Sequence, residues 1–122
     1  MATLLIVDDE ENIRLLYRTE LAAAGYRVET AGTVEQAKQA FERQGIDLVV
    51  LDLKLTPEDG GLEALKWMRE RDRRIPIVIN TAFPTYKADF SSWLADAYVV
   101  KSSSLDELKD TIAKLLDQGG PK

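Results

Sequence analysis

The chain has 122 residues, 45% of them hydrophobic and 30% charged, which is the balance of a single soluble globular domain. It contains neither Cys nor His, so disulfides, thiolate or imidazole metal sites, Cys/His nucleophiles and a Ser-His-Asp triad are excluded. A net charge of −5 argues against unaided nucleic-acid binding through a broad basic face.

The opening run lacks a basic leader, and its apolar stretch stops at Asp8, so it reads as neither a signal peptide nor a membrane span. A cytoplasmic protein without membrane contact is expected. Leu4–Val7 is a buried strand that ends on Asp8-Asp9-Glu10. Ile13, Leu16, Tyr17, Leu21 and Ala24 then recur at helical spacing, with Gly25 as the stop. Arg27–Thr30 is a short strand with Val28 inward. Thr33 and Gln36 form a capping-box pair ahead of Val34, Ala37, Ala40 and Phe41, and Gly45 closes that helix. Ile46–Leu53 is the most apolar strand and carries Asp52 near its end.

Thr56–Gly61, with Pro57, Asp59 and two glycines, reads as a loop. Leu62, Leu65, Met68 and Arg69 continue as a helix to about Arg71. Ile75–Ile79 is a strand with Pro76 at its entrance and Thr81 at its exit. Phe83–Ser92 fits a short or irregular helix running towards Leu94. Ala97–Val100 is the last strand. Ser104 and Glu107 form a second capping box, before a helix with Leu105, Leu108, Ile112 and Leu115 on one face. Residues 1–118 form the domain, and 119–122 read as a flexible tail or the start of a linker.

Strands apolar on both faces, alternating with helices, imply an α/β protein: a three-layer, doubly wound (βα)5 sandwich with a parallel sheet covered on both sides. Ligands in such folds bind at the carboxyl ends of the strands. Four strand ends carry polar groups there: Asp8-Asp9, Asp52, Thr81 and Lys101. Gathered carboxylates need a compensating cation. With oxygen ligands only, that cation is Lys101 together with a hard divalent ion, Mg²⁺ above all. Such a set suits a phosphoryl group, with Asp52 as nucleophile, Asp8 and Asp9 as metal holders, and Thr81 and Lys101 on the phosphoryl oxygens. Taken singly, Asp9 also fits a helix N-cap, Asp8 and Asp52 fit turn residues, and Lys101 fits a solvated lysine.

These residues resemble the receiver domains of two-component response regulators over essentially the whole chain. Leu5-Ile6-Val7-Asp8-Asp9-Glu10 resembles the acidic opening motif, and Asp47–Leu53 the phosphoacceptor strand. Gly60 with Leu62-Glu63-Ala64-Leu65 resembles the loop and third helix. Ile77–Ala82 resembles the fourth strand with its switch hydroxyl, and Tyr98-Val99-Val100-Lys101 the fifth strand. Asp9 and Asp52 stand 43 residues apart, and Asp52 and Thr81 29 apart, as the family spacing requires.

The resemblance implies a flavodoxin-like sheet of order 2-1-3-4-5. It implies that Asp52 accepts phosphate from a phosphohistidine on a histidine kinase or phosphotransfer protein. Mg²⁺ would be held by Asp9, Asp52 and the Lys54 carbonyl, with Asp8 acting largely through water. Lys101 would pair with the phosphoryl oxygens, and Thr81 and Tyr98 would be the switch residues. Lys54, Ala82 and Phe83 would be tuning positions. The output would pass through the surface of the fourth helix, fifth strand and fifth helix to an output domain or effector protein. Homodimerisation on phosphorylation is a further option. No turnover of an external substrate is expected. The competing readings are an unphosphorylated interaction domain on this fold and a phosphatase with an aspartyl-phosphate intermediate. The chain departs from the family pattern at Ser102, where a proline is usual, and at Thr56-Pro57, where the usual proline is one residue earlier.

Overall fold

A computed structural model describes residues 2–43, 45–52, 60–82, 95–101 and 104–119. The elements are β1 (Thr3–Val7), α1 (Glu11–Ala23), β2 (Arg27–Ala31), α2 (Val34–Arg43), β3 (Leu48–Leu51), α3 (Gly60–Arg71), β4 (Ile77–Thr81), β5 (Ala97–Val100) and the last helix, here α4 (Asp106–Gly119). The five strands form one parallel sheet in the order β2-β1-β3-β4-β5, as the sequence resemblance implies.

The period-2 alternation of each strand sorts its side chains into two cores. Leu5, Val7, Val49, Leu51, Ile77 and Ile79 face α2 and α3, whose Ala37, Leu65 and Met68 fill the space between. Leu4, Ile6, Leu48, Val50 and Val78 face α1 and α4, against Tyr17, Leu21, Leu108 and Ile112. β3 lies at the centre with all four residues buried, so strands there must be apolar on both faces.

Local chemistry fixes the element ends. α1 closes with Gly25 at φ 103°, the left-handed turn that glycine adopts without penalty. The Tyr26 amide donates to the Leu21 carbonyl and the Gly25 amide to that of Ala22, which is the Schellman pattern. At α2 the Gln36 amide donates to Thr33 Oγ1, but the Gln36 side chain accepts from Gly32 N rather than from Thr33. At α4 the Ser104 hydroxyl accepts the Asp106 amide.

β1 and β2 each gain one residue over the expected bounds, and four other boundaries shift. β4 starts at Ile77, not Ile75, because Pro76 has no N–H and the Ile75 amide is taken by Asp72 Oδ1. β3 spans Leu48–Leu51 rather than Ile46–Leu53, with Asp47 lashed to β1 through Thr3 N and Thr3 O. α3 begins at Gly60, so both loop glycines belong to the helix and are buried against the core. α4 includes Gly119, which was expected in the tail. Leu53 to Asp59, the helix expected over Phe83–Leu94, Ser102 and residues 120–122 lie outside the described residues.

Candidate functional site at the carboxyl edge of the sheet

The ladders carry the chain one residue beyond three strands and place the site there. The Asp8 amide donates to the Ala31 carbonyl, that of Asp52 to Val7, and that of Lys101 to Thr81, all at 2.8–3.0 Å. Asp8, Asp52 and Lys101 are therefore held by the rigid sheet, with Thr81 as the last residue of β4. Asp8 and Asp52 are 2% and 4% exposed, and Thr81 is fully buried. Asp9 is exposed at the rim, as is Ala82.

Lys101 bridges the buried acids. Its Nζ lies 2.7 Å from Asp8 Oδ2 and 3.0 Å from Asp52 Oδ2, with Glu10 Oε1 further off at 3.9 Å. Burial alone would lower the Lys101 ammonium, but the hydrogen bonds to Asp8 and Asp52 and their charges outweigh it and raise it above its ordinary value. It is a fixed cation, not a solvated surface lysine. Asp8 Oδ1 accepts the Glu10 amide at 2.9 Å, and Glu10, not Asp9, is the N-cap residue of α1.

Asp8, Asp9 and Asp52 each offer a carboxylate oxygen, and these oxygens lie within 4.8 Å of one another. An all-oxygen set of three carboxylates, only partly offset by one lysine, fits a hard divalent cation such as Mg²⁺, which takes one or two carboxylates and keeps several waters. Lys54 and Phe83 lie outside the described residues. Tyr98, half-buried on β5, packs against the core on the α2 and α3 side. Its strand neighbour Ile79 faces the same way, and so by alternation does Thr81.

The sequence reading missed two groups around this site. The Arg14 guanidinium donates to the Asp8 carbonyl at 2.8 Å and lies over Gly32, where a Cβ would stand 2.6 Å from Arg14 Nη1. Nothing in the local pattern marks Arg14, but Gly32 directly after a strand is a signal of close approach. Beneath the site, Tyr17 Oη donates to Asn80 Oδ1 at 2.5 Å, and Asn80 Nδ2 donates to the Val99 carbonyl at 2.9 Å. An amide in the apolar run of β4 was the visible signal, because a buried amide needs partners.

Residues 4–113 match the family model of the response regulator receiver domain. This chain belongs to that family. The receiver domain is 43% identical to the response regulator protein TrrA of Thermotoga maritima, whose structure was solved in complex with Mg²⁺-BeF; the match has a TM-score of 0.89 and covers 95% of this chain and 100% of that one. The same protein, solved in complex with the histidine kinase ThkA, matches with a TM-score of 0.86, covering 95% and 99% of the two chains. The regulatory protein AtoC of Escherichia coli (strain K12) is 33% identical over 93% of this chain and 25% of its own length. A probable transcriptional regulator, ycf27 of Cyanidium caldarium, is 39% identical over 93% of this chain and 45% of its own. The receiver domain thus spans about a quarter to a half of the curated relatives it matches.

Proposed function

We propose that this receiver domain takes a phosphoryl group onto Asp52 from a phosphohistidine donor in a Mg²⁺-dependent reaction. The observation that carries the reading is the buried Asp8–Lys101–Asp52 bridge with Asp9 beside it at the rim. An Asp52 carboxylate oxygen attacks the donor's phosphorus. The phosphorus–nitrogen bond breaks, and its electron pair leaves with the donor's imidazole. Lys101 already contacts Asp52, so its ammonium follows the charge that arrives on the phosphoryl oxygens. Asp8, Asp9 and Asp52 would hold Mg²⁺, which when bound supplies positive charge to the same oxygens. Lys54, through its carbonyl, completes the proposed ligand set.

Thr81 donates its hydroxyl to the product phosphoryl group, and Tyr98 follows on the same face of the sheet. Their movement alters the surface made by the Phe83–Leu94 segment, β5 and α4, through which an effector or an attached output domain is addressed. Lys54, Ala82 and Phe83 tune how readily water reaches the acyl phosphate. The donor, a histidine kinase or phosphotransfer protein, docks on α1. That helix starts directly after Asp9 and carries Leu15 and Leu16, large hydrophobics 63% and 46% exposed. Beside them a groove of about 250 Å³ is lined by Glu11, Arg14, Leu15, Arg18 and Thr30. The compartment this reading implies is the cytoplasm, and among the described residues no helix is long and apolar enough to cross a membrane.

The test is incubation with acetyl phosphate and Mg²⁺, followed by intact-mass measurement. The parent gains one phosphoryl mass, and neither Asp52→Ala nor the parent in chelator does. Full mass gain in Asp52→Ala would overturn the assignment.

A further inference from the structure

We infer that Tyr17 and Asn80 are positioning residues for the chemistry at Asp52: their buried hydrogen-bond chain ties α1 and β5 to β4 and so holds Lys101 in place. The inference rests on the phosphoacceptor reading above. Both residues are buried, and the other buried side chains of the core on the α1 and α4 side are aliphatic. Apolar residues would fill that space at less cost, since a buried phenol and amide are tolerated only when each finds partners. Here one amide serves two partners at once. Its oxygen takes the Tyr17 hydroxyl from α1, and its nitrogen grips the Val99 carbonyl on β5.

The grip lies next to the site. Asn80 and Val99 are register partners, as are Thr81 and Val100 one step on. The next residue, Lys101, closes the ladder through its amide to the Thr81 carbonyl and then reaches Asp8 and Asp52. β5 is an edge strand of four residues, paired among the described residues with β4 alone. A side-chain tie there adds what a second neighbouring strand would otherwise supply. Asn80 and Thr81 are consecutive and so point to opposite faces, which keeps the Asn80 tie on the side of the sheet away from the Thr81 hydroxyl. The charges of Lys101, Asp8 and Asp52 all act on the Tyr17 phenol, as expected of a group lying under the site. Tyr17 also follows exposed Leu15 and Leu16 on α1, so the helix a donor would press on is pinned to the strand that ends in the switch residue.

The experiment compares the parent with Tyr17→Phe and with the double variant Tyr17→Phe/Asn80→Leu. Three quantities are read: the urea midpoint, the exchange rate of the Lys101 amide, and the maximal rate and half-saturating concentration for acetyl phosphate with Mg²⁺. Replacing both partners of a hydrogen bond by apolar groups costs far less than orphaning one, so the double variant should regain much of the midpoint lost in Tyr17→Phe. Its maximal phosphorylation rate should nevertheless stay about tenfold below the parent, as small misplacements of a reacting group give. Its Lys101 amide should exchange several-fold faster. A double variant that regains the parent's rate together with its stability marks the chain as plain packing and overturns the inference. Tyr17→Phe is close to isosteric and keeps the Asn80–Val99 bond, so it reports a lowered maximal rate even if the double variant folds poorly; a parent-like rate there is equally fatal. A parent chain that takes up no phosphoryl group overturns the phosphoacceptor reading instead, and the Lys101 exchange rate then decides the tie by itself.

Discussion

Replacing Lys101 by methionine tests the electrostatics of the site most directly. Methionine keeps the unbranched stem and removes only the ammonium, so packing changes little. What remains is a pair of nearly buried carboxylates, Asp8 and Asp52, whose shared cation at 2.7 and 3.0 Å is gone. Removing one member of a buried ionic set typically costs about 3–5 kcal/mol. The cluster opens to solvent at exposed Asp9, so the lower end, about 3 kcal/mol, is expected. For a urea dependence of about 2 kcal/mol per molar, the denaturation midpoint should fall by about 1.5 M. The assay is urea unfolding at neutral pH in chelator, followed by far-ultraviolet circular dichroism. Adding Asp52→Asn to the variant removes one of the opposed charges and should recover roughly half of the loss. Saturating Mg²⁺ should stabilise Lys101→Met more than the parent, because the ion binds the folded form and the carboxylates stripped of their lysine attract it more strongly. The pH dependence has a definite sign. Lys101 is raised in the folded state, so its contribution is complete below its ordinary value of 10.5 and is lost as pH rises through the folded value. The gap between parent and variant should therefore stay constant from neutral pH to about pH 10 and close above it. A Lys101→Met midpoint within about 0.3 M of the parent in chelator would refute the reasoning.

Other outcomes follow from the remaining geometry. Arg69→Ala removes the ion pair with Asp96 and hydrogen bonds to the Arg73 and Ile75 carbonyls, and should cost about 2–3 kcal/mol in urea unfolding. Lys109→Ala breaks a solvent-facing pair with Glu20 and should cost less than about 1 kcal/mol in the same assay. Gly25→Ala forces a side chain into φ 103° and should cost about 1 kcal/mol, visible as a lowered Tm. Burial holds the Tyr17 phenol above its ordinary 10.0, so the difference between the phenolate absorbance titrations of the parent and Tyr17→Phe should show one group ionising above that pH. The stability linked to Tyr17 is full below 10.0 and is lost as pH rises through the folded value.

Most of the sheet was legible because its signal is short and strong. Apolar runs that stop on Asp8, near Asp52 and on Lys101 fix both the strands and the edge they share, and a parallel sheet brings those ends together whatever the loops do. The boundaries that moved did so through groups that periodicity does not see. Asp72 capping the Ile75 amide delayed β4, and burial of Gly60 and Gly61 drew a glycine pair into a helix where composition suggested a loop. The site was legible as a list of residue types, but its internal wiring was not. Lys101 could be placed at the edge from sequence, yet its choice of Asp8 and Asp52 over Glu10 is a matter of side-chain reach. Arg14 and the Tyr17–Asn80 pair depend on helix-to-strand docking, which in the second case brings together residues 63 positions apart.

If Asp52 takes a phosphoryl group as proposed, the central position of β3 has a consequence for how two proteins would share the work of transfer. β3 is paired on both sides and buried on both faces, and Asp52 extends it with an amide still bonded to Val7. Strands of this kind open only with the whole fold. Under the proposed function, Asp52 is therefore the least adaptable point in the reaction, a fixed target rather than a hand reaching out. Accommodation on approach would then fall to the donor's histidine and to the rim around Asp9, and selectivity among donors would be written on surfaces that can drift in sequence without disturbing the aspartate they serve.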